Sequence, residues 1–238
     1  TYNSQPIHAQ GPEGSIYLGH NGNVINAIEL KDHLKEWGVE NYDSTSDSEL
    51  IAQLYALSPG LTWGQKSEYC MSKLKGAYSL VMLSKDSLIG VRDPLGIRPL
   101  CLGEIEDGFV IASETCALDH IGAKFIRDIL PGETIVINKE GVSSSIFSGA
   151  RKVHSMCIFE QIYFSRPDSI IEGQLTYSSR MAMGAELARQ HPVNADMVIG
   201  IPDSATASAV GYANESNIPF GEGLVKNRYV GRTFIEPN

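Results

Sequence analysis

The sequence predicts two units that meet near residue 150, an α+β sandwich followed by an α/β unit built on a parallel sheet. Three observations predict this. Up to residue 147 the chain carries many short β-branched and aromatic runs, punctuated by Gly, Pro and Asp and interrupted by helical stretches. Beyond residue 154 the pattern becomes strand, helix, strand, helix, the alternation of βαβ units. The change of character falls within 149–154, which gives domains 1–150 and 151–238.

Residues 15–18 form an apolar strand that leads into His20-Asn21-Gly22-Asn23, and 27–37 has helical spacing with its charges on one side. The clearest helix spans 45–57, where Ser46 is an N-cap and Glu49, three residues on, completes a capping box. A further helix covers 63–75. Strands follow at 78–83, 88–92, 100–103, 108–112, 134–137 and 143–147. In the second unit 158–165 is an apolar, aromatic strand and 177–190 a helix. A continuous buried strand at 197–201 and a helix at 206–217 complete it.

With 42% hydrophobic and 20% charged residues, the 238-residue chain has an ordinary globular balance and can bury a sizeable core. Its net charge of −9, with Lys and Arg scattered, argues against a broad nucleic-acid or anionic-membrane surface but leaves room for a local phosphate pocket. No apolar run has the length of a membrane span. The start, TYNSQPIHAQ, lacks an initiator Met and the basic and apolar regions of a signal peptide, and does not look like a natural beginning. Cys70, Cys101, Cys116 and Cys157 form no C-x-x-C pair and read as reduced thiols of a cytoplasmic protein. The histidines show no metal-ligand spacing.

The Asn21-Gly22 pair is the strongest short signal for a hairpin turn. It can equally form an oxyanion hole, with the Asn21 amide and the Gly22 N–H donating to one developing oxyanion. A tight turn would fix such donors, so the two readings are compatible. Asp47, in the first turn of the capped helix, either complements the helix dipole or recognises the α-amino group of an amino-acid substrate. The arginines and aspartate of RDPLGIRP read as a structural ion-pair network between two strands. Asp203, Ser204 and Thr206 follow the carboxyl end of a strand, where they can cap a helix or hold a metal–phosphate group. Lys226, Arg228, Tyr229 and Arg232 form a dense basic cluster, either a solvated loop or a polyphosphate clamp.

The runs GHNGNVINAIELK, TSDSELIAQL, LKGAYSLV, RDPLGIRPL and ASETCALD resemble the glutaminase domain of the N-terminal-nucleophile amidotransferases. CIFEQIYFSRPDS, IPDSATASA and KNRYVGRTFIEP, in this order behind such a domain, are similar to the amidophosphoribosyltransferase family. The resemblance spans nearly all of the chain. It implies that 1–150 is the C-terminal portion of a four-layer αββα glutaminase sandwich. It implies that 151–238 is the N-terminal portion of an α/β phosphoribosyltransferase domain with a parallel sheet.

The implied reaction belongs to purine biosynthesis. An N-terminal Cys attacks the glutamine carboxamide with its own α-amino group as base, and the released ammonia displaces pyrophosphate from phosphoribosyl pyrophosphate to give phosphoribosylamine. The resemblance assigns Asn21 and Gly22 to the oxyanion hole and Asp47 to the glutamine α-amino group. It assigns Ser204 to a magnesium site, and Lys226, Arg228, Tyr229 and Arg232 to a loop that closes over phosphoribosyl pyrophosphate. Cys157 matches one ligand of a 4Fe-4S cluster. Purine nucleotides as feedback inhibitors and a homo-oligomeric state are further implications. The nucleophile and a carboxylate-binding Arg are expected upstream of Thr1, and a diphosphate-binding strand with paired aspartates after Asn238, so the chain by itself is expected to be inactive.

Ser48, Ser165 and Ala205 depart from the family's usual Thr, Ala and Gly. A glutaminase joined to an asparagine or glucosamine-phosphate synthase would continue into an ATP-binding or isomerase domain, and residues 157–237 speak against that. A non-catalytic nucleotide-binding protein is the alternative outside enzymes.

Overall fold

The computed structural model describes residues 3–150, 154–227 and 229. The chain divides into two compact units, Thr1–Cys157 and Ile158–Asn238. The division falls after Cys157 because the preceding stretch is tied to the first unit: Ser155 N–H donates to the Leu95 carbonyl (2.9 Å) and Cys157 N–H to that of Ile97 (3.1 Å).

The first unit opens with a hairpin, β1 (Ile7–Gly11) and β2 (Gly14–Val24), followed by helices α1 (Ala27–Glu36), α2 (Asp47–Leu57) and α3 (Trp63–Lys73). Strands β3 (Gly76–Leu83), β4 (Ser87–Arg92), β5 (Cys101–Ile105) and β6 (Gly108–Ala112) lead to helix α4 (Thr115–His120). Strands β7 (Lys124–Asp128), β8 (Glu133–Asn138) and β9 (Gly141–Ile146) complete the unit. One antiparallel sheet has the order β1-β2-β3-β4-β8-β9, and a second has the order β6-β5-β7.

Side-chain alternation along the strands builds the layers. Leu80 and Met82 of β3, with Leu18, Ile89 and Val91, pack under α1, α2 and α3 against Leu34, Ile51, Leu54 and Tyr55. Val81, between them in sequence, faces the other way and joins Leu100, Leu102, Ile111 and Ile129 between the two sheets. Cys101, Leu118 and Ala123 then pack α4 on the outside of the small sheet. The result is helices, sheet, sheet, helix. Each fully buried Leu or Ile contributes about 1.5–3 kcal/mol.

Two local expectations are corrected. The run His20-Asn21-Gly22-Asn23 is not a turn: β2 passes straight through it, with Asn21 opposite Ser79 and Gly22 opposite Tyr78. A hairpin needs a strand on each side of its loop, and here the chain enters α1 instead. The glycine serves a close approach, since Gly22 has φ +152° and a Cβ there would lie 2.0 Å from the Ala77 carbonyl oxygen. The capping box also closes differently. Ser46 accepts from Ser48 N–H (3.2 Å) as N-cap of α2, but Glu49 accepts from Asp43 N–H (2.9 Å) and Ser44 N–H (2.6 Å), pinning the entry to the helix.

The second unit contains a π-helical turn at Glu160–Phe164, a short hairpin of β10 (Ile170–Ile171) and β11 (Gln174–Leu175), and helices α5 (Thr176–Gln190) and α6 (Thr206–Ser216). Residues 158–165 are thus helical, not a strand. The buried Arg180 guanidinium donates to the Gln161 (2.7 Å) and Ser165 (2.8 Å) carbonyls, which satisfies main-chain groups that a strand would have had to offer to a neighbour. Residues 197–201 are not a buried strand either. Val198 makes one parallel bridge to Phe220, and Met197, Ile199 and Ile201 remain exposed among the described residues. Helices α5 and α6 meet backbone to backbone: a Cβ on Gly184 would lie 1.9 Å from the Ser208 carbonyl oxygen, and one on Gly211 2.0 Å from that of Met181.

The Arg127–Glu133 pair braces β7 against β8, with two hydrogen bonds of 2.8 Å to a carboxylate that also accepts from Leu130 N–H. Burial pushes the Glu133 carboxyl up, but the Arg127 guanidinium and the Leu130 N–H outweigh it and hold it below the ordinary carboxylate range. A depressed folded value means that this stabilisation is complete above the ordinary carboxylate range and is lost as pH falls through the depressed value. Because Arg127 is partly exposed, Glu133→Gln should cost about 1–2 kcal/mol at pH 7. In urea unfolding, the difference from the parent should shrink towards zero in strong acid.

Candidate functional site

Strand β2 outruns its neighbour. Its pairing with β1 ends at Ile7 opposite Leu18, whereas its pairing with β3 continues to Val24 opposite Gly76. Main-chain groups of His20, Gly22 and Val24 therefore face an edge that β1 no longer covers. The exposed Gln5 side chain takes over at His20, accepting from its N–H (2.6 Å) and donating to its carbonyl (2.9 Å). At Val24 the N–H donates to Asp47 Oδ2 (2.8 Å). Between them Gly22 is exposed, and the alternation of the strand turns its N–H away from β3 towards the uncovered edge.

Asn21 points to the opposite face of β2, where its Oδ1 accepts from Arg98 Nη2 and its Nδ2 donates to Ser113 Oγ (3.2 Å). A guanidinium only donates, so Arg98 fixes which end of the carboxamide is oxygen. The Asn21 amide keeps a second N–H for a ligand. Arg98 is presented by the β4–β5 connection, which closes around a fully buried carboxylate. Asp93 accepts from Leu95 N–H (3.0 Å), Ile97 N–H (3.1 Å) and Arg98 N–H (3.2 Å), and burial still pushes its carboxyl above the usual range. Arg92 donates to the carbonyls of Arg98 (2.8 Å), Ile129 (2.6 Å) and Gly96 (3.1 Å). This motif thus works on main-chain groups.

Asp47 begins α2 and lines a cavity of about 330 Å³ with Asn23, Lys31, Tyr42, Ser44 and Leu50. With Oδ2 on Val24, its Oδ1 lies 3.7 Å from His20 Nδ1. Burial pushes the His20 imidazole below its ordinary range. The Arg98 cation acts in the same direction, and Asp47 and the Ala77 carbonyl oppose it. The first unit therefore brings Asn21, Gly22 and Asp47 to one end of β2.

In the second unit, Ser204 and Lys226 line one cavity of about 420 Å³ with Tyr163, Arg166, Arg180 and Asp203. Lys226 Nζ lies 3.2 Å from Asp203 Oδ2. None of Asp203, Ser204 and Thr206 caps α6, whose N-cap is Ala205 without a side-chain bond. Tyr229 is fully exposed, and its N–H donates to Asn227 Oδ1 (3.0 Å). Arg228 and Arg232 lie outside the described residues. The hydroxyl and carboxylate oxygens of Ser204 and Asp203 are donors of the kind that magnesium takes. An iron–sulfur cluster takes four thiolates, of which the half-buried Cys157 could supply one; Cys70, Cys101 and Cys116 are buried elsewhere, and no group of three or more metal-ligating side chains lies among the described residues.

Sequence reasoning missed Gln5, Ser113, Arg166 and Arg180, and treated Arg98 as purely structural. Arg180 had a legible signal, since it occupies the buried stripe of α5 with Thr176, Gly184 and Ala188 at four-residue spacing. Gln5 had none, because nothing local marks a side chain that replaces a missing strand.

A family profile described as "Glutamine amidotransferase domain" matches residues 1–120. The chain is 45% identical over 238 residues to an amidophosphoribosyltransferase of Archaeoglobus fulgidus, covering 99% of this chain and 51% of the relative. It is 44% identical over 237 residues to that of Bacillus subtilis, covering 99% and 49%. Among solved structures, the Bacillus subtilis glutamine phosphoribosylpyrophosphate amidotransferase complexed with ADP and GMP superposes with a TM-score of 0.90 at 44% identity. That match covers 99% of this chain and 52% of the other. The chain spans about half the length of the curated relatives it matches.

Burial pushes the thiols of Cys70 and Cys101 up to about 12, so neither is a thiolate at neutral pH. Alkylation of the native protein at about neutral pH should label the half-buried Cys157 first, because it is the most accessible, and leave Cys70 and Cys101 unmodified. Peptide mass spectrometry checks this, with all four labelled after denaturation as the control.

Proposed function

The chain belongs to the glutamine amidotransferase domain family, and we propose that it supplies the glutamine site and part of the phosphoribosyl pyrophosphate site of an amidophosphoribosyltransferase. The reaction is glutamine-dependent formation of phosphoribosylamine, with glutamate and pyrophosphate as the other products, in purine biosynthesis. One observation carries this reading: an open Gly22 N–H, an oriented Asn21 amide and the Asp47 carboxylate occur together at the uncovered end of β2.

Each group has a role that its geometry supports. A nucleophile's attack on the glutamine carboxamide turns the carbonyl oxygen into an oxyanion. The Gly22 N–H and the second N–H of Asn21 are preorganised donors for that charge, held by the sheet and by Arg98 before substrate arrives. Asp47 offers Oδ1 to the ammonium of glutamine while Oδ2 stays on Val24. None of the buried thiols suits the nucleophile's task. The released ammonia then attacks C1 of phosphoribosyl pyrophosphate, and the pyrophosphate leaves with both electrons of the broken C–O bond.

For the second substrate, the cavity lined by Arg166, Arg180 and Lys226 supports recognition of a phosphorylated sugar. Magnesium, when bound through Ser204 and Asp203, would neutralise part of the diphosphate charge. Lys226 would exchange its Asp203 partner for the pyrophosphate, and Arg228, Tyr229 and Arg232 would extend the same clamp. Purine nucleotides as feedback ligands, a homo-oligomeric assembly and a cytoplasmic location complete the proposal. ADP and GMP are bound by the Bacillus subtilis relative, and no helix among the described residues is long and apolar enough to cross a membrane.

In the enzyme that carries this chain, Asn21→Ala should lower the glutamine-dependent rate by about 10²–10³. Activity with free ammonia should survive, and equal loss of both would make Asn21 a folding residue. Asp47→Asn should mainly raise the KM for glutamine. Ser204→Ala and Lys226→Gln should instead weaken phosphoribosyl transfer with glutamine and ammonia alike, because both nitrogen sources need the second substrate bound. Initial-rate assays with each nitrogen source separate these outcomes.

A further inference from the structure

His20 shares the helix-facing side of β2 with Gly22 and Val24, and its side chain is 1% exposed. Nδ1 lies 3.0 Å from Ser48 Oγ and 3.7 Å from Asp47 Oδ1. The serine hydroxyls set the direction of this chain. Ser46 Oγ accepts from Ser48 N–H (3.2 Å), and its single proton has two acceptors within reach, Ser48 Oγ at 3.0 Å and Asp47 Oδ1 at 3.4 Å, of which the nearer takes it. The Ser48 proton is then left for His20 Nδ1, so the neutral ring accepts at Nδ1 and carries its proton on Nε2, a buried atom without a hydrogen-bond partner among the described residues. The charged groups that act on the ring are Asp47 from α2 and Arg98 from the β4–β5 connection.

We propose that His20 is a positioning residue for glutamine recognition: as a neutral acceptor it clamps Ser48 and the first turn of α2, so that Asp47 keeps Oδ2 on Val24 and leaves Oδ1 to the substrate ammonium. The inference rests on the assignment of Asp47 to the glutamine α-amino group. Protonation at Nδ1 would remove the acceptor for Ser48 and turn a cation towards Asp47 Oδ1, where it competes with the ammonium. Burial and Arg98 keep the ring neutral at physiological pH, so the competition is confined to acid. The catalytic donors Asn21 and Gly22 are untouched by it, as is the use of free ammonia.

The test measures kcat and KM for glutamine against pH, with ammonia-dependent activity alongside, in the enzyme that carries this chain and in its His20→Asn, His20→Ala and Asp47→Asn variants. The parent's glutamine KM should rise as pH falls through the His20 titration. In His20→Asn the carboxamide oxygen can take the Ser48 proton without titrating, so KM at neutral pH should stay within about threefold and the acid rise should vanish. His20→Ala should raise KM about tenfold at every pH and leave the ammonia reaction unchanged. An acid rise that persists in His20→Asn overturns the proposal, as does a His20→Ala variant that loses kcat with unchanged KM. Should His20→Ala fail to fold, ¹⁵N imidazole shifts of the parent decide, because an Nδ1–H tautomer at neutral pH overturns the relay. If Asp47→Asn leaves KM unchanged, the glutamine assignment itself fails; if KM rises there while both His20 variants behave as the parent does, only the role of His20 fails.

Discussion

Main-chain groups at a sheet edge must find partners, and in this protein β2 runs three such positions past the end of β1. The amide of Gln5 covers His20, and the carboxylate of Asp47 covers Val24. Gly22 is left between them with its N–H directed outwards. An edge that would otherwise invite another strand becomes a short, rigid row of one open donor flanked by two satisfied ones. The row is stiff because β3 holds its other side from Tyr17 to Val24. Its glycine cannot be replaced without forcing the strands apart, since the Ala77 carbonyl occupies the space of a Cβ.

The second fixed point is the β4–β5 connection. A buried carboxylate is costly unless its lone pairs are filled, and Asp93 fills them with the N–H groups of the loop that it encloses. Arg92 does the converse, binding three carbonyls. Together they convert a Pro- and Gly-containing loop into a platform that presents Arg98 to Asn21. The polar groups left open at this end of β2 are thus few, and the polar groups that aim them are buried and committed to main chain. This division suits preorganised electrostatics, in which donors are fixed before charge develops.

The second unit uses cations differently. Arg180 is buried and spends its hydrogen bonds on the turn at Glu160–Phe164, whereas Lys226 is largely exposed and held by one carboxylate. The first arrangement holds structure; the second can exchange its partner for a phosphate at little cost, as an exposed ion pair contributes little. In a chain with net charge −9, a cavity bearing Arg166, Arg180 and Lys226 is a local feature, which the overall balance neither reveals nor forbids.

The sequence by itself determined the three long helices and most strands of the first unit, though not β1, α4 or β7, because alternation of period two and amphipathic spacing survive in any context that buries one face. It also marked the residues of the proposed glutamine site, since the runs holding Asn21, Gly22 and Asp47 carry a family resemblance. Only the tertiary structure decided what those residues do to one another. Asn-Gly signals a turn locally, yet its place in β2 depends on β3, more than fifty residues away in sequence. The aromatic run 158–165 has strand composition, yet Arg180 from α5 stabilises it as a helical turn. Whether 197–201 is covered depends on neighbours that local pattern cannot supply. The roles of Gln5, Arg98 and His20 come from long-range hydrogen bonds, whose partners are set by strand register and helix docking and leave no periodic trace in the chain.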